Sequence, residues 1–226
     1  MRAWLAIALA LVFVTSTAQT HEEPVITVGG KMGASFARTQ FNPTVPQKLL
    51  TGGVAGVTFS YCEEPYFAII AELNVEQRGW REDFEGAPYS FQRRLTYLQL
   101  PLMTHIFFGS EQVKGFFNVG PEIGYMIATS TSANFNPVDI GTLPDFPTTN
   151  RNTDQYTLPI KNHLDYGIGA GLGMELYNRR ARGSFVLEGR FYYGLQDIFA
   201  NHKKDTFAGS SGIAVMVTLG YNYRIK

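Results

Sequence analysis

Beyond residue 24, apolar positions recur every second residue, and no stretch carries the 3.6-residue rhythm of an amphipathic helix. Period-two alternation puts one set of side chains on each face of an extended strand. Eight such segments are predicted, at residues 25–36, 53–61, 66–78, 94–107, 114–127, 163–176, 184–195 and 213–223. In the third, Phe67, Ile69, Ala71, Leu73 and Val75 oppose Glu72, Asn74, Glu76 and Arg78. In the fourth, Leu98, Leu100, Leu102 and Ile106 oppose Tyr97, Gln99, Met103 and His105. In the sixth, Leu164, Tyr166, Ile168, Ala170, Leu172 and Met174 oppose Asp165, a ladder from Gly167 through Gly169 and Gly171 to Gly173, and Glu175.

The connections alternate in length. Those after the first, third, fifth and seventh segments are long (37–52, 79–93, 128–162 and 196–212). Those after the second, fourth and sixth are short, around Glu63-Glu64-Pro65, 109–111 and 178–183. Segments of about ten alternating residues, with short turns at one end and long loops at the other, are the signature of a transmembrane barrel. The fold expected is all-β: an eight-stranded antiparallel transmembrane β-barrel with short periplasmic turns and long extracellular loops, both termini lying in the periplasm. The longest loop holds Asn-Pro, Leu-Pro and Phe-Pro pairs, which suit irregular surface backbone.

Composition sharpens this picture. Charged residues make up 17% of the 226, below the roughly 25% of soluble domains, while 17 Phe and 12 Tyr supply apolar cover. A formal net charge of zero gives no electrostatic reason to expect a nucleic-acid partner. Met1-Arg2, an apolar run over residues 3–14 and the small residues Ser16-Thr17-Ala18 read as a signal peptide over 1–18. A periplasmic segment would follow at 19–24 and the barrel domain at 25–226. The apolar run is too short for a comfortable membrane helix, and no later window is long enough without charges. Cys62 is the single cysteine, so no intrachain disulfide is possible.

In a barrel of this size, side chains fill the interior. Glycines of the sixth segment would make room for large inward residues opposite. The polar faces carry Lys31, Arg78 and Arg190 together with Glu72, Glu76, Glu122, Asp165, Glu175 and Glu188. Buried charges are tolerated when paired and hydrogen-bonded, so these residues predict an ion-paired, plugged lumen of structural role. Pro101, inside a strand, predicts a local bulge.

Several of these pieces resemble a known family. Glu72-Leu73-Asn74 with Gln77-Arg78-Gly79, Tyr97-Leu98-Gln99-Leu100-Pro101-Leu102, Asn118-Val119-Gly120-Pro121 with Gly124-Tyr125, Tyr166-Gly167 onward to Gly173, Tyr192-Tyr193-Gly194-Leu195 and Leu219-Gly220-Tyr221-Asn222-Tyr223 are similar to the PorT-like, porin-like outer-membrane β-barrel proteins of Bacteroidetes-type bacteria. The resemblance covers essentially the whole mature chain. It implies a bacterial outer-membrane location and a barrel, with Pro101 as a family feature, and it implies no catalytic residues.

No catalytic, metal-binding or cofactor site is predicted. His21, His105, His163 and His202 form no spaced ligand cluster, and the Gly-x-Gly runs precede no helix. His163 and Asp165, two apart on one strand face, could join Ser130 or Ser132 in a lipid-modifying barrel enzyme; ordinary polar loop residues explain them better. Lys203-Lys204-Asp205 reads as a solvated loop tip. Arg179-Arg180 and Arg182 fall in a predicted periplasmic turn, where contact with anionic headgroups and plain solvation explain them equally well. The function expected is that of a non-enzymatic outer-membrane barrel, acting as a surface-binding protein or as a membrane component of a secretion or surface assembly. Its partners would be outer-membrane lipid and the proteins of such an assembly. The alternatives are a small porin-like channel, a barrel enzyme acting on outer-membrane lipid, and a soluble lipocalin-like binder.

Overall fold

The computed structural model describes residues 24–110, 112–147, 152–178, 182–199 and 206–225. The expected signal peptide, Arg179-Arg180 and Lys203-Lys204-Asp205 lie outside them. Alternation becomes strand wherever it is sustained: β1 (Val25–Asn42), β3 (Leu50–Glu64), β4 (Phe67–Glu82), β5 (Phe91–Gly109), β6 (Val113–Ala133), β7 (Leu164–Asn178), β8 (Gly183–Asp197) and β9 (Gly209–Arg224). A two-residue strand, β2 (Gln47–Lys48), adds to the upper part of β4 where β3 leaves it. Each long strand pairs antiparallel with the next, and β1 pairs with β9 from Thr27↔Arg224 to Asn42↔Gly209, which closes the sheet. Closure removes the edges. Each long strand then has a paired neighbour on both sides, the condition for non-helical backbone to face lipid.

The outer surface is the apolar one. Met32, Leu100, Leu172 and Leu219 project outward at 57–69% exposure, each flanked along its strand by residues that point inward. On β5 the outward apolar series runs from Leu98 to Phe108. At about 3.3 Å per residue that is roughly 33 Å of strand, or about 25 Å of height at a 40° tilt, which matches the apolar band of outer-membrane barrels. Tyr61, Phe67, Phe108, Phe185 and Tyr223 ring its lower edge, at the short-turn end.

Two expectations are corrected. The strands outrun the predicted segments at the long-loop end, because hydrogen bonding continues past the point where outward residues turn polar, as at Arg38 and Arg81. Pro101 makes no bulge. Register is unbroken across it on both sides (Ala71↔Leu102 then Asn74↔Gln99; Pro101↔Glu122 then Thr104↔Val119), and pairing lapses for two residues in each ladder, at Leu100-Pro101 against β4 and at Leu102-Met103 against β6. These local gaps accommodate the missing N–H without an inserted residue. The register shift of this strand lies at Thr96/Tyr97 against β6.

The facing of β5 yields a direct test. Leu100→Arg is expected to lower stability by about 2–4 kcal/mol in lipid vesicles, read from denaturant unfolding. If Leu100→Ala and Leu100→Arg cost the same, Leu100 does not face lipid.

Candidate functional site

The lumen is filled in two layers above a small cavity, and glycine makes the filling fit. On β7 a Cβ at Gly169 would collide with the Glu122 carboxylate, one at Gly171 would lie 2.6 Å from Glu188 Oε1, and one at Gly173 would enter the Phe116 ring. One small strand therefore gives space to large inward side chains from β6 and β8.

The central layer is charged. Arg190 on β8 forms a bidentate pair with Glu72 on β4, donating from Nη1 to Oε2 and from Nη2 to Oε1, both at 2.8 Å. It also donates to Glu188 Oε1 at 2.9 Å from Nη2. Lys31 Nζ on β1 lies 2.6 Å from Glu72 Oε2 and 3.6 Å from Glu188 Oε2. Asn74 and Asn118 complete the shell, donating to Glu72 at 2.9 Å and to Glu188 at 2.8 Å. Slightly nearer the long loops, Arg78 Nη2 lies 3.0 Å from Asp165 Oδ2, and its Nε is 3.4 Å from Glu76. The Arg78 guanidinium also lies against the Tyr97 and Tyr192 rings, 4.4 Å and 4.2 Å from their centroids. Tyr192 donates to Asp165 at 2.8 Å, and Ser35 to Glu76 at 2.7 Å. Bidentate, charge-assisted bonds of this kind are the strong ones, and five strands are tied together by them.

Eight of the nine charged residues singled out in the sequence thus converge. Glu122 is the loosest of the eight: its nearest cation, Arg190, is 3.6 Å away, and neither carboxylate oxygen has a hydrogen-bond partner among the described residues. Glu175 does not join. It lines a cavity of about 160 Å³ below the network, at the short-turn end, with Lys114, His105 and Phe116. His105 Nδ1 donates to Asn118 Oδ1 at 2.6 Å, so it reaches the network only through that amide. Tyr97 was legible as an inward residue. Its place against Arg78, and that of Tyr192, carries no signal in local sequence, because it depends on pairing across the barrel.

The upper layer is apolar and was not foreseen. Trp80, fully buried on β4, meets Phe41 edge-on with centroids 5.2 Å apart and Phe199 at 5.9 Å. Phe91 packs on Tyr156 at 4.6 Å, and Phe84 on Phe146 at 5.7 Å. The last three partners come from the loops. The longest loop is held down by Glu82, which accepts hydrogen bonds from Gln155 Nε2 and Tyr156 Oη, both at 2.6 Å. Arg93 adds a bond to the Leu158 carbonyl at 2.7 Å. Among the described residues, loop side chains thus pack into the long-loop mouth.

His163 and Asp165 do not share a face. The His163 ring packs edge-on against the outward Tyr125, at 6.0 Å, whereas Asp165 points into the lumen. β7 begins only at Leu164, so the alternation that fixes Asp165 does not extend to His163. Ser130 and Ser132 lie opposite Arg94 and Gln92 on the upper part of β6. Among the described residues, no group of three or more His, Cys, Asp or Glu is placed to hold a metal ion.

The sequence matches the family described as outer membrane protein beta-barrel domain over residues 17–200. Among solved structures, the outer membrane protein OprG from Pseudomonas aeruginosa aligns with a TM-score of 0.53 at 10% identity, over 91% of this chain and 97% of that one. Neisserial surface protein A (NspA) aligns at 0.49 with 9% identity, over 90% and 100%. Ail, the attachment invasion locus protein of Yersinia pestis, aligns at 0.41 with 11% identity, over 87% and 98%. At such identities the likeness to OprG speaks for the fold alone. No curated protein matches the sequence.

Proposed function

The chain belongs to the family of outer membrane protein beta-barrel domains, and from that premise we propose that it is a plugged, non-enzymatic barrel of the bacterial outer membrane. It works through its long-loop surface, as a surface-binding protein or as the membrane component of a secretion or surface assembly. The observation that carries this reading is the double filling of the lumen. A charged layer crosses the barrel from Lys31 to Asp165, and an aromatic layer built partly from the loops closes the mouth above it. If these layers close the lumen, function falls to the surfaces that the barrel presents. Within the family, we read the chain with the PorT-like proteins on the strength of the run from Tyr97 to Leu102. The separation of His163 from Asp165 supports the absence of a lipid-modifying triad.

Osmotic swelling of proteoliposomes tests this reading. Vesicles holding the protein are expected to resist swelling in small sugars as protein-free vesicles do. Swelling at a rate that scales inversely with sugar size would make the protein a channel. Recovery of the tagged protein in gentle detergent from native membranes then separates the two roles. Stoichiometric periplasmic and outer-membrane companions are expected of an assembly component, and the barrel alone of a free-standing surface protein.

A further inference from the structure

Above the apolar band, one side of the outer surface carries four cations, one of them paired to an aspartate. Arg38 on β1 and Arg81 on β4 are exposed, each between two buried neighbours on its strand, so both point outward. Lys48 lies directly opposite Arg81 in the β2–β4 ladder. Arg94 on β5 is opposite Gly79, one outward position below Arg81. Adjacent strands are about 4.8 Å apart, so Arg81 stands within roughly 10 Å of both Lys48 and Arg94. Like charges directly opposite across a ladder destabilise it, yet only Lys48 is ion-paired here, to Asp83 at 2.9 Å. Arg38 and Arg81 form no ion pair among the described residues. Arg94 donates to the Thr51 carbonyl at 3.3 Å, and its Nε is buried without a partner. Among the described residues of strands β6 to β9, no Lys or Arg faces outward above the band: Lys114 and Arg224 are at the short-turn end, Arg190 points inward, and the exposed Lys161 lies in the loop before β7.

The height of this cluster identifies what it faces. Leu98 is the last apolar outward residue of β5, and Thr96 and then Arg94 follow it. On β1, Arg38 is one outward position above Phe36. The guanidinium groups therefore stand just above hydrocarbon, at the level of headgroups, with Gln77 and Gln92 beside them as further donors. We propose that Arg38, Lys48, Arg81 and Arg94 form a binding surface for the phosphate groups of an anionic lipid in the outer leaflet. Arginine presents a fork of N–H donors that matches a phosphate's oxygens, and a phosphate between Lys48, Arg81 and Arg94 removes the repulsion the ladder otherwise carries. The inference does not depend on whether the lumen conducts.

The test is native mass spectrometry of the protein released from mixed micelles of phosphatidic acid and phosphatidylcholine. The native protein is expected to retain phosphatidic acid preferentially. Each cation facing an anionic lipid is worth about fivefold in binding, so Arg38→Gln, Arg81→Gln and Arg94→Gln together are expected to reduce the preference by roughly a hundredfold. Lys114→Gln with Arg224→Gln, at the other end of the barrel, is expected to leave it unchanged. Gel migration without boiling checks that every variant is folded. A preference that survives the triple substitution, or that falls equally in the distal variant, overturns the proposal. So does tight binding of soluble dextran sulfate by a native protein with no lipid preference, which would assign the patch to a soluble polyanion.

Discussion

Arg190→Met is expected to destabilise the folded barrel by about 3–5 kcal/mol, the usual cost of breaking a buried ion pair from one side. Arg190 is the hub of the central layer: it pairs with Glu72 through two bonds, reaches Glu188, and is the nearest cation to Glu122. Removing it leaves three buried carboxylates facing Lys31 alone. Methionine fills most of the arginine's volume, so the loss reflects charge and not a cavity. Adding Glu72→Gln is expected to recover part of the stability, because Lys31 then faces Glu188 and Glu122 with the same excess of one carboxylate as the native set. Denaturant unfolding in lipid vesicles, followed by tryptophan fluorescence and gel shift, reads both effects. If the single substitution costs under 1 kcal/mol, or if the second one deepens the loss, the network is not the electrostatic unit described.

Trp80→Ala is expected to cost a comparable amount, about 3–5 kcal/mol, by a different mechanism. The indole is fully buried between Phe41 and Phe199, with the Arg93 guanidinium 5.9 Å from its ring centroid, so truncation removes contacts on every side. Trp80→Phe keeps part of the aromatic packing and is expected to lose less than half as much. The alanine variant is also expected to expose the longest loop to protease, because Phe91, a neighbour of Trp80, packs on Tyr156 of that loop. Unchanged stability with unchanged proteolysis would mean that the loops do not pack down into the barrel mouth.

The two layers differ in how far they could be read from sequence. Strand side chains obey a period of two, so a residue's parity decides whether it faces lipid or lumen, and neighbouring strands then bring the inward charges together. That logic located Lys31, Glu72, Arg78 and Arg190 without any knowledge of their distances. It could not say that Glu175 sits too low to join, because height depends on the stagger between strands and not on alternation. The glycine ladder was legible as space, and the side chains that fill it became known only from the register of β7 against β6 and β8. The aromatic layer was illegible for a physical reason. Phe84, Phe146 and Tyr156 lie in loops with no periodicity, and nothing in their spacing shows that they fold inward. His163 marks the same limit: alternation was extrapolated one residue beyond the end of a strand. The general rule for proline in sheets predicts a bulge at Pro101, and the barrel accommodates it with a short gap in each flanking ladder and no change of register.

Voltage-clamp recording across a planar bilayer tests the central claim, that the lumen is closed, most directly. The native protein is expected to insert silently, with no discrete current steps, while Trp80→Ala combined with Arg190→Met, which removes the keystone of each layer, is expected to raise the baseline current or to flicker. Regular, ohmic steps from the native protein in ordinary salt would contradict the account and identify the barrel as a small channel.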